Sequence, residues 1–319
     1  MTQGADFPLA DAGALARGAD DTPRPGRTGG GLRSFRPKGR HLGVVPFFVY
    51  VAIFLLWPTI IVIVGAFQNS STGALTFSNI TAVLTGSTYL QAFWGSIRLS
   101  GETAIAGGVL GALLAWAVAE GDPDGIFRRQ VVAMSGVLAQ FGGVMLAFAF
   151  LATFGYAGVV TLTLHRVAGV NPITAGSWIY SFTGLAVVYT FFQIPLMVLI
   201  FLPAVDGLKV EWREASDNLG GGSWAYWRYV AGPILAPAFV GGLLLLFVSA
   251  FSAYATAAAL ISQGSPIVPL QIRTFLTSEV VLGQANMGKA LAFGMVVVVA
   301  VVMTLYAWLQ RRGAKWQAK

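Results

Sequence analysis

The chain alternates between long apolar runs and shorter polar segments. Six runs are each close to the roughly 20 apolar residues that an α-helix needs to cross the hydrocarbon of a bilayer. They lie at residues 43–67, 97–119, 131–154, 178–204, 236–261 and 289–310. The pattern therefore predicts an all-α membrane protein with six transmembrane helices. Segment 205–235, between the fourth and fifth runs, stands out because it is rich in glycine, tryptophan and charge.

The composition supports this class. Of the 319 residues, 56% are hydrophobic and 10% are charged, whereas a soluble domain carries about 25% charged residues. The sequence contains no cysteine, so it can form neither a disulfide nor a thiolate metal site. Its two histidines, His41 and His165, are far apart in the sequence. We therefore predict neither a catalytic site nor a metal site.

Polar residues outside the runs predict the domain limits and the orientation. Residues 1–40 contain almost no large apolar side chain, so they are expected to form a disordered cytoplasmic tail before a membrane domain at 41–319. Most of the 20 Lys and Arg residues fall in this tail, in the second and fourth connecting segments and at the C-terminus. The exceptions are Arg98, Arg166, Arg273 and Lys289. Because cytoplasmic loops are enriched in Lys and Arg, both termini and segment 205–235 are expected in the cytoplasm.

One segment has the spacing of a nucleotide-binding loop. Gly283, Gly288 and Lys289 fall at the required positions of the pattern, but Ala290 replaces the hydroxyl residue that would hold magnesium. No strand pattern precedes it, and the charge distribution places it outside the cytoplasm. We interpret the segment as the start of the sixth span, and we expect no ATP site on this chain.

Several polar residues fall inside the apolar runs. Tyr189 and Gln193 are four apart in the fourth run, so they share a helix face. Ser252 and Tyr254 lie in the fifth run. These four residues either line a solute path or hydrogen-bond one helix to another, and their spacing leaves both possibilities open. Pro195 is expected to kink the fourth helix.

Two features of the second run concern its surfaces. Gly107 and Gly111 form a GxxxG pattern, which lets another helix approach closely. Arg98 and Glu102 are spaced to pair on one helix face near the outer end of the span. An ion pair in a membrane span is a functional hypothesis by default. A structural pair and a role in the solute path both remain open.

Segment 211–237 admits two interpretations from its residues alone. Its three tryptophans are typical of an interfacial loop with an aromatic belt. Its charges are also typical of a docking surface for a water-soluble partner. Glu211 and Glu214 fall early in a predicted helix, where negative charge is favourable. Gly220 begins a run of three glycines, which predicts the end of that helix.

The spacing in this segment resembles the EAA loop of ABC importer permeases. The family form is Glu-Ala-Ala, three residues, Gly, nine residues and then Ile-x-Leu-Pro. The corresponding residues here are Glu214, Ala215, Ser216, Gly220, Val230, Gly232 and Pro233. The spacing matches throughout, with Ser for Ala, Val for Ile and Gly for Leu. The resemblance covers residues 40–310.

The resemblance implies a type I ABC importer permease (MetI-like) fold with both termini inside the cell. The loop would form a short coupling helix that docks on a cytoplasmic ATPase subunit. Glu214 would make the polar contact, and Ala215 and Ser216 would be small because the partner lies close. Gly220 would end the helix, and Pro233 would fix the return of the chain into the membrane.

The resemblance also implies partners in a bacterial inner or plasma membrane. These are a second permease subunit, expected to be a different chain, two ATP-binding subunits and an extracytoplasmic solute-binding protein. ATP and magnesium would be held by the ATP-binding subunits, and this chain would bind no cofactor. No nucleic-acid partner is expected.

Segments 202–208 and 252–256 look most like those of permeases for polyamines, phosphonates and ferric iron. A small polar solute such as a polyamine or phosphonate is therefore expected, with a sugar or metal complex as the alternative. The rival class is a secondary transporter acting alone. That class favours broken helices or paired acidic residues in mid-membrane, and the sequence makes no strong case for either.

Overall fold

The structure is a computed structural model that describes residues 44–70, 72–261, 267–277 and 285–317. The chain divides into two compact units, residues 1–50 and 51–319. In the first unit the described residues are helical from Val45 onwards. The predicted disordered tail, residues 1–40, lies outside the described residues.

The described residues are almost entirely helical, and their one β-contact is an isolated bridge between Gln68 and Leu75. Single π-helical turns occupy Ala52–Leu56 and Trp227–Ala231, and a 3-10 turn occupies Trp178–Tyr180. The α-helices are α1 (Val45–Val51), α2 (Trp57–Ala66), α3 (Ser78–Thr85), α4 (Ser87–Ala119), α5 (Ile126–Gln140), α6 (Gly143–Phe154), α7 (Val159–Ala168), α8 (Pro172–Ser177), α9 (Phe182–Asp206), α10 (Val210–Asn218), α11 (Ser223–Tyr226), α12 (Gly232–Ser252), α13 (Ala255–Leu260), α14 (Val268–Thr277) and α15 (Ala285–Gln317).

Six helical stretches of the described residues are long and apolar enough to cross a membrane. They are Val45–Ala66, Ser87–Ala119, Gly143–Ala168, Phe182–Asp206, Ser223–Ser252 and Asn286–Arg311. The all-α class and the number of spans are therefore confirmed. The predicted limits of the third and fifth spans are wrong.

The predicted third span, 131–154, is interrupted. α5 ends at Gln140, and α6 begins at Gly143, whose φ of 69° is left-handed. This conformation costs about 1–2 kcal/mol for a residue with a Cβ atom and little for glycine. The apolar helical stretch of sufficient length is Gly143–Ala168 instead. The hydrophobicity of an apolar run does not show where its backbone leaves the helical conformation.

The predicted fifth span, 236–261, is displaced. The structure places this span at Ser223–Ser252, so it begins before Pro237. The backbone then becomes extended at Ala253, where ψ is 112°, and α13 follows as a separate short helix. From the sequence we found no strong case for broken helices. The structure contradicts this, because the third and fifth apolar runs are each interrupted.

A side-chain hydrogen bond reaches the backbone at each of the two interruptions. α6 packs against α13, and the Thr256 hydroxyl donates to the Gly143 carbonyl oxygen at 3.1 Å. The Tyr189 hydroxyl donates to the carbonyl oxygen of Ala253 at 2.6 Å. Non-helical backbone at membrane depth is tolerated where protein groups satisfy it. Both carbonyls next to the interruptions meet this condition.

α4 and α9 form the most extensive helix contact in the described residues. A Cβ atom on Gly107 would lie 2.6 Å from the Cβ of Gln193, and one on Gly111 would lie 2.5 Å from the carbonyl oxygen of Ile194. The two backbones therefore approach as the GxxxG pattern predicts. This contact fixes which face of α4 is buried.

We expect Gly111→Ala to destabilise the protein by about 1–3 kcal/mol, because the added methyl group would overlap the backbone of α9. Gly101→Ala is the matched control on the same helix, since no atom lies within 4 Å of its Cβ position. Thermal unfolding of the detergent-solubilised chain measures both. A Gly111→Ala midpoint as high as that of the control would contradict the packing described here.

Candidate functional site

α10 contains three of the predicted docking residues. Glu214, Ala215 and Ser216 lie in this nine-residue helix, and none of its residues is buried. Glu211 is in the first turn, where its negative charge is stabilised by the free N–H groups of the helix end. Short exposed helices are marginal in water. α10 therefore depends on contacts beyond its own turns.

Gly220 ends α10 in the left-handed conformation, with a φ of 77°. The Gly221 N–H donates to the Ser216 carbonyl oxygen at 2.9 Å, and the Gly220 N–H donates to that of Asp217 at 2.9 Å. This pair of bonds is a Schellman motif, which satisfies carbonyls that the helix end leaves free. The chain can thus reverse direction within a few residues.

A shallow apolar groove of about 400 Å³ lies between α10 and the start of the fifth span. Ala215 and Ser216 line it together with Leu219 and Tyr229. Leu219 is 89% exposed and Tyr229 is 72% exposed. Apolar surface beside charged residues is typical of a protein-binding site. The small residues keep the groove open.

α10 is attached to the end of α4 by mixed contacts. Arg213 Nη1 lies 4.0 Å from Glu120 Oε1, which accepts a hydrogen bond from Trp116 Nε1 at 3.3 Å. The Trp116 ring packs edge-on against Trp227 at 5.8 Å. An exposed ion pair contributes only about 0–1 kcal/mol, and the tryptophan contact holds Trp227 in the segment that follows α10. Sequence reasoning missed Glu120 and Trp116, because no local spacing links them to α10.

A second ion pair holds the end of α9, from which the chain passes to α10. Arg128 Nη2, near the start of α5, lies 2.5 Å from Asp206 Oδ2. The Arg128 side chain is only 19% exposed, so water screens this pair less than the one on α10. This pair was also missed, because its residues come from different connecting segments.

Pro233 lies in the first turn of α12, directly after the π-helical turn Trp227–Ala231. Proline has no N–H to bond back to the preceding turn, so the helix continues through Pro233 without that hydrogen bond. The π-helical turn gives the approach to the fifth span an irregular geometry. Such turns occur frequently at functional sites.

Two of the four predicted path residues are buried in the chain's own bundle. Tyr189 and Gln193 are both 0% exposed. Gln193 Nε2 donates to Thr103 Oγ1 of α4 at 2.8 Å, and Tyr189 bonds to the Ala253 carbonyl. These are helix-to-helix bonds, one of the two possibilities that the sequence leaves open. Gln193 Oε1 and Ser100 Oγ have no hydrogen-bond partner among the described residues.

The other two lie at the surface. Ser252 Oγ donates to the Val248 carbonyl oxygen of its own helix at 2.8 Å. Tyr254, next to the interruption after α12, is 39% exposed. Tyr189 thus bonds the backbone at the interruption from the buried interior, whereas Tyr254 lies next to the interruption at the surface. The four residues do not share one surface.

The predicted ion pair of the second span is formed. Arg98 Nε donates to Glu102 Oε1 at 2.7 Å, and both side chains are about half exposed. The Arg98 guanidinium also lies over the Phe182 ring, 5.2 Å from its centroid. Arg98 therefore contacts both Glu102 and Phe182, and the pair remains open on its other side.

No group of three His, Asp or Glu side chains suited to a metal ion occurs in the part of the chain that the structure describes. Of the segment with nucleotide-loop spacing, Gly283 lies outside the described residues. Lys289 is in α15, where its Nζ donates to Asn286 Oδ1 at 2.8 Å and its side chain packs over Gly65. Lys289 thus contacts the end of the first span.

Curated relatives of the chain are transport permeases, although no family profile matches it. It is 24% identical over 227 residues to the probable starch degradation products transport system permease protein AmyD of Thermoanaerobacterium thermosulfurigenes, covering 69% of this chain and 76% of the relative. It is 34% identical over 97 residues to the sulfate transport system permease protein CysT of Escherichia coli, 28% of this chain and 35% of the relative. It is 21% identical over 266 residues to a putative ferric transport system permease protein of Haemophilus influenzae, 82% of this chain and 40% of the relative. The chain thus matches less than half of the length of the last two.

Two solved structures share the fold. A bacterial ABC transporter involved in the import of the acidic polysaccharide alginate aligns with a TM-score of 0.66 and 15% identity, over 86% of this chain and 95% of that chain. A bacterial alginate ABC transporter in complex with an alginate pentasaccharide-bound periplasmic protein aligns with a TM-score of 0.62 and 17% identity, over 86% and 94%. The predicted fold and the resemblance to ABC importer permeases are confirmed. The orientation of the termini stays a prediction.

We expect Gly220→Ala to destabilise the end of α10 by about 1–2 kcal/mol, because a Cβ atom is unfavourable in the left-handed conformation. Amide hydrogen exchange in α10 should become roughly fivefold faster or more. Gly222→Ala is the control, because its φ is −82° and no atom lies within 4 Å of its Cβ position. Equal exchange in both variants would show that the Schellman motif does not stabilise α10.

Tyr189→Phe should lower the free energy of unfolding by about 1–3 kcal/mol, because it leaves the Ala253 carbonyl without its donor. Tyr254→Phe, at the exposed side of the same interruption, should have little effect. Thermal unfolding in detergent compares the two variants. Loss of stability in Tyr254→Phe alone would contradict the role given to Tyr189.

Proposed function

We propose that this chain, whose relatives and fold are those of ABC importer permeases, is the transmembrane permease subunit of an ATP-driven importer. The observation that carries the proposal is the α10 segment. An exposed helix with Glu214 ends at a left-handed Gly220 beside an apolar groove, and its residues have the spacing of the EAA loop. These features suit a docking helix better than a connecting loop.

Two partner ATP-binding subunits would hold ATP and magnesium and hydrolyse the ATP. This chain would contribute the docking helix and no catalytic residue. Glu214 would accept hydrogen bonds or ion pairs from the partner, while Leu219 would be buried in the contact. Docking can shift the balance between inward-open and outward-open states only by the difference in its free energy between them. Rigid attachment of α10 is therefore required.

The chain has contacts suited to carry a movement of α10 into the membrane. Asp206, held by Arg128, is followed by only three residues before α10 begins. Arg213 of α10 and Trp227, which follows α10, contact the end of α4. Two spans would thus follow α10 directly. The interruptions at 141–142 and 253–254 would let the outer parts of the bundle respond separately.

The assembly would contain a second permease subunit, proposed to be a different chain, and an extracytoplasmic solute-binding protein. Both termini and α10 would lie in the cytoplasm of a bacterial cell, with the spans in its inner or plasma membrane. The distribution of Lys and Arg supports this orientation. The solved transporter with a bound periplasmic protein supports the presence of such a partner.

The solute would be a small polar compound. The sequence pattern favours a polyamine or phosphonate, but the relatives are named for starch degradation products, sulfate and ferric ion. The relative matched over the largest share of its own length is the one named for starch degradation products. A saccharide is therefore the first solute class to test, in a binding screen of the partner solute-binding protein.

The interruptions at 141–142 and 253–254 also favour a second candidate, because secondary transporters use discontinuous helices. Copurification distinguishes the two functions. An ATPase that remains bound to the solubilised chain supports the importer. Uptake by the purified chain alone, without ATP, would support the secondary transporter instead.

Glu214→Lys should uncouple uptake from ATP hydrolysis in the assembled transporter, because it reverses the charge at the proposed contact. Uptake should fall by roughly 10-fold or more, the effect of a lost charge-assisted contact of about 1.5–3 kcal/mol. Asp124→Lys is the control, with the same charge reversal at an exposed position outside α10. Uptake and ATPase copurification at wild-type levels in Glu214→Lys would count against the docking role.

A further inference from the structure

The two faces of α4 have different surroundings. The face with the glycines is pressed against α9. The opposite face forms an exposed stripe whose members are three or four residues apart, as one side of a helix requires. The stripe consists of Arg98, Glu102, Ile105, Val109, Leu113 and Trp116.

The charged members of the stripe lie at a depth where lipid contact is costly. Glu120 is the first charged residue at the other end of the span, and at 1.5 Å per residue Glu102 lies about 27 Å from it along the helix. The hydrocarbon of a bilayer is about 30 Å thick. With Glu120 at one edge of the hydrocarbon, Glu102 would fall just inside the other edge, and Arg98 would fall at the boundary.

Within the residues that the structure describes, both charges stay exposed on that face. The Arg98 and Glu102 side chains are 57% and 48% exposed, and the Phe182 ring covers one side of the guanidinium only. A guanidinium does not lose its proton in proteins. Charged side chains within spans almost always face a bundle interior or a water-filled cavity. The stripe therefore faces away from lipid.

We propose that the exposed stripe of α4 lines the water-filled solute path, with the Arg98–Glu102 pair at its outer mouth. This inference rests on the proposed function, which requires a path between two permease subunits. The pair offers donors from Arg98 and acceptors from Glu102 without net charge. It suits a hydroxyl-rich or zwitterionic solute of low net charge, such as a saccharide, and not a polycation.

Cysteine accessibility tests the proposal cleanly because the chain has no cysteine. Ile105→Cys and Val109→Cys place thiols on the stripe, where the native residues are 59% and 43% exposed. Val187→Cys and Val297→Cys are controls on α9 and α15. Both native residues are 44% exposed, and neither belongs to the stripe. The assembled transporter in membranes is treated with a membrane-impermeant methanethiosulfonate.

Only a thiolate reacts, and thiolates form in water and not in hydrocarbon. We expect the two stripe positions to react roughly tenfold faster than the controls, or more. Stripe cysteines that react as slowly as both controls would overturn the proposal, whether lipid or a dry subunit contact covers them. ATPase copurification is scored on the same variants, so fast labelling without a bound ATPase would refute the importer function and leave the water-facing stripe in place.

Reagent charge tests the role of the pair. At Ile105→Cys, an anionic sulfonate reagent and a cationic trimethylammonium reagent should react at similar rates while the pair is intact. Adding Glu102→Gln leaves the Arg98 charge uncompensated and should raise the anionic-to-cationic rate ratio by roughly fivefold. Adding Asp124→Asn is the control and should leave the ratio unchanged. An equal ratio with and without Glu102→Gln would show that the pair does not face the path.

Discussion

Backbone hydrogen bonding in the absence of water is the constraint on which this structure depends most. Inside a bilayer an unsatisfied backbone group costs several kcal/mol, so a span that leaves helical geometry must find donors from its neighbours. Two of the apolar runs are interrupted, at 141–142 and 253–254, and the hydroxyls of Tyr189 and Thr256 bond the carbonyls beside them. The Tyr189 bond joins α9 to the end of α12, and the Thr256 bond joins α13 to α6. The position of α9 therefore governs the arrangement of its neighbours.

The glycine-mediated contact between α4 and α9 sets that position. It also determines which polar residues of these two helices are buried and which are exposed. Gln193 lies on the contact side and is buried against Thr103, so its polarity serves the bundle. Arg98 and Glu102 lie on the opposite side and remain exposed. One helix thus presents a closely packed face to its own chain and an exposed face with one ion pair outward, as the proposed solute path would require.

α10 would connect this bundle to the proposed docking partner. Its own turns bury nothing, so its position depends on its ends. The Arg128–Asp206 pair holds the preceding helix, and the Trp116–Trp227 contact holds the following segment. A force on α10 would therefore act on α4 and α9 together, the same pair of helices that the glycine contact joins. The proposed docking surface and the proposed path would be mechanically close for this reason.

Hydrophobic length, charge and glycine spacing are local properties, so they were enough to predict the helical class, the number of spans and the α10 segment with Gly220. The sequence also predicted the Arg98–Glu102 pair from helical periodicity. The interruptions of the third and fifth runs emerged only from the folded chain, because hydropathy does not reveal backbone direction. The tertiary structure also decided that Tyr189 and Gln193 are buried while Glu102 is exposed. All three are polar residues in apolar runs, and what distinguishes them is which neighbouring helix covers them, a property that arises only when the helices pack.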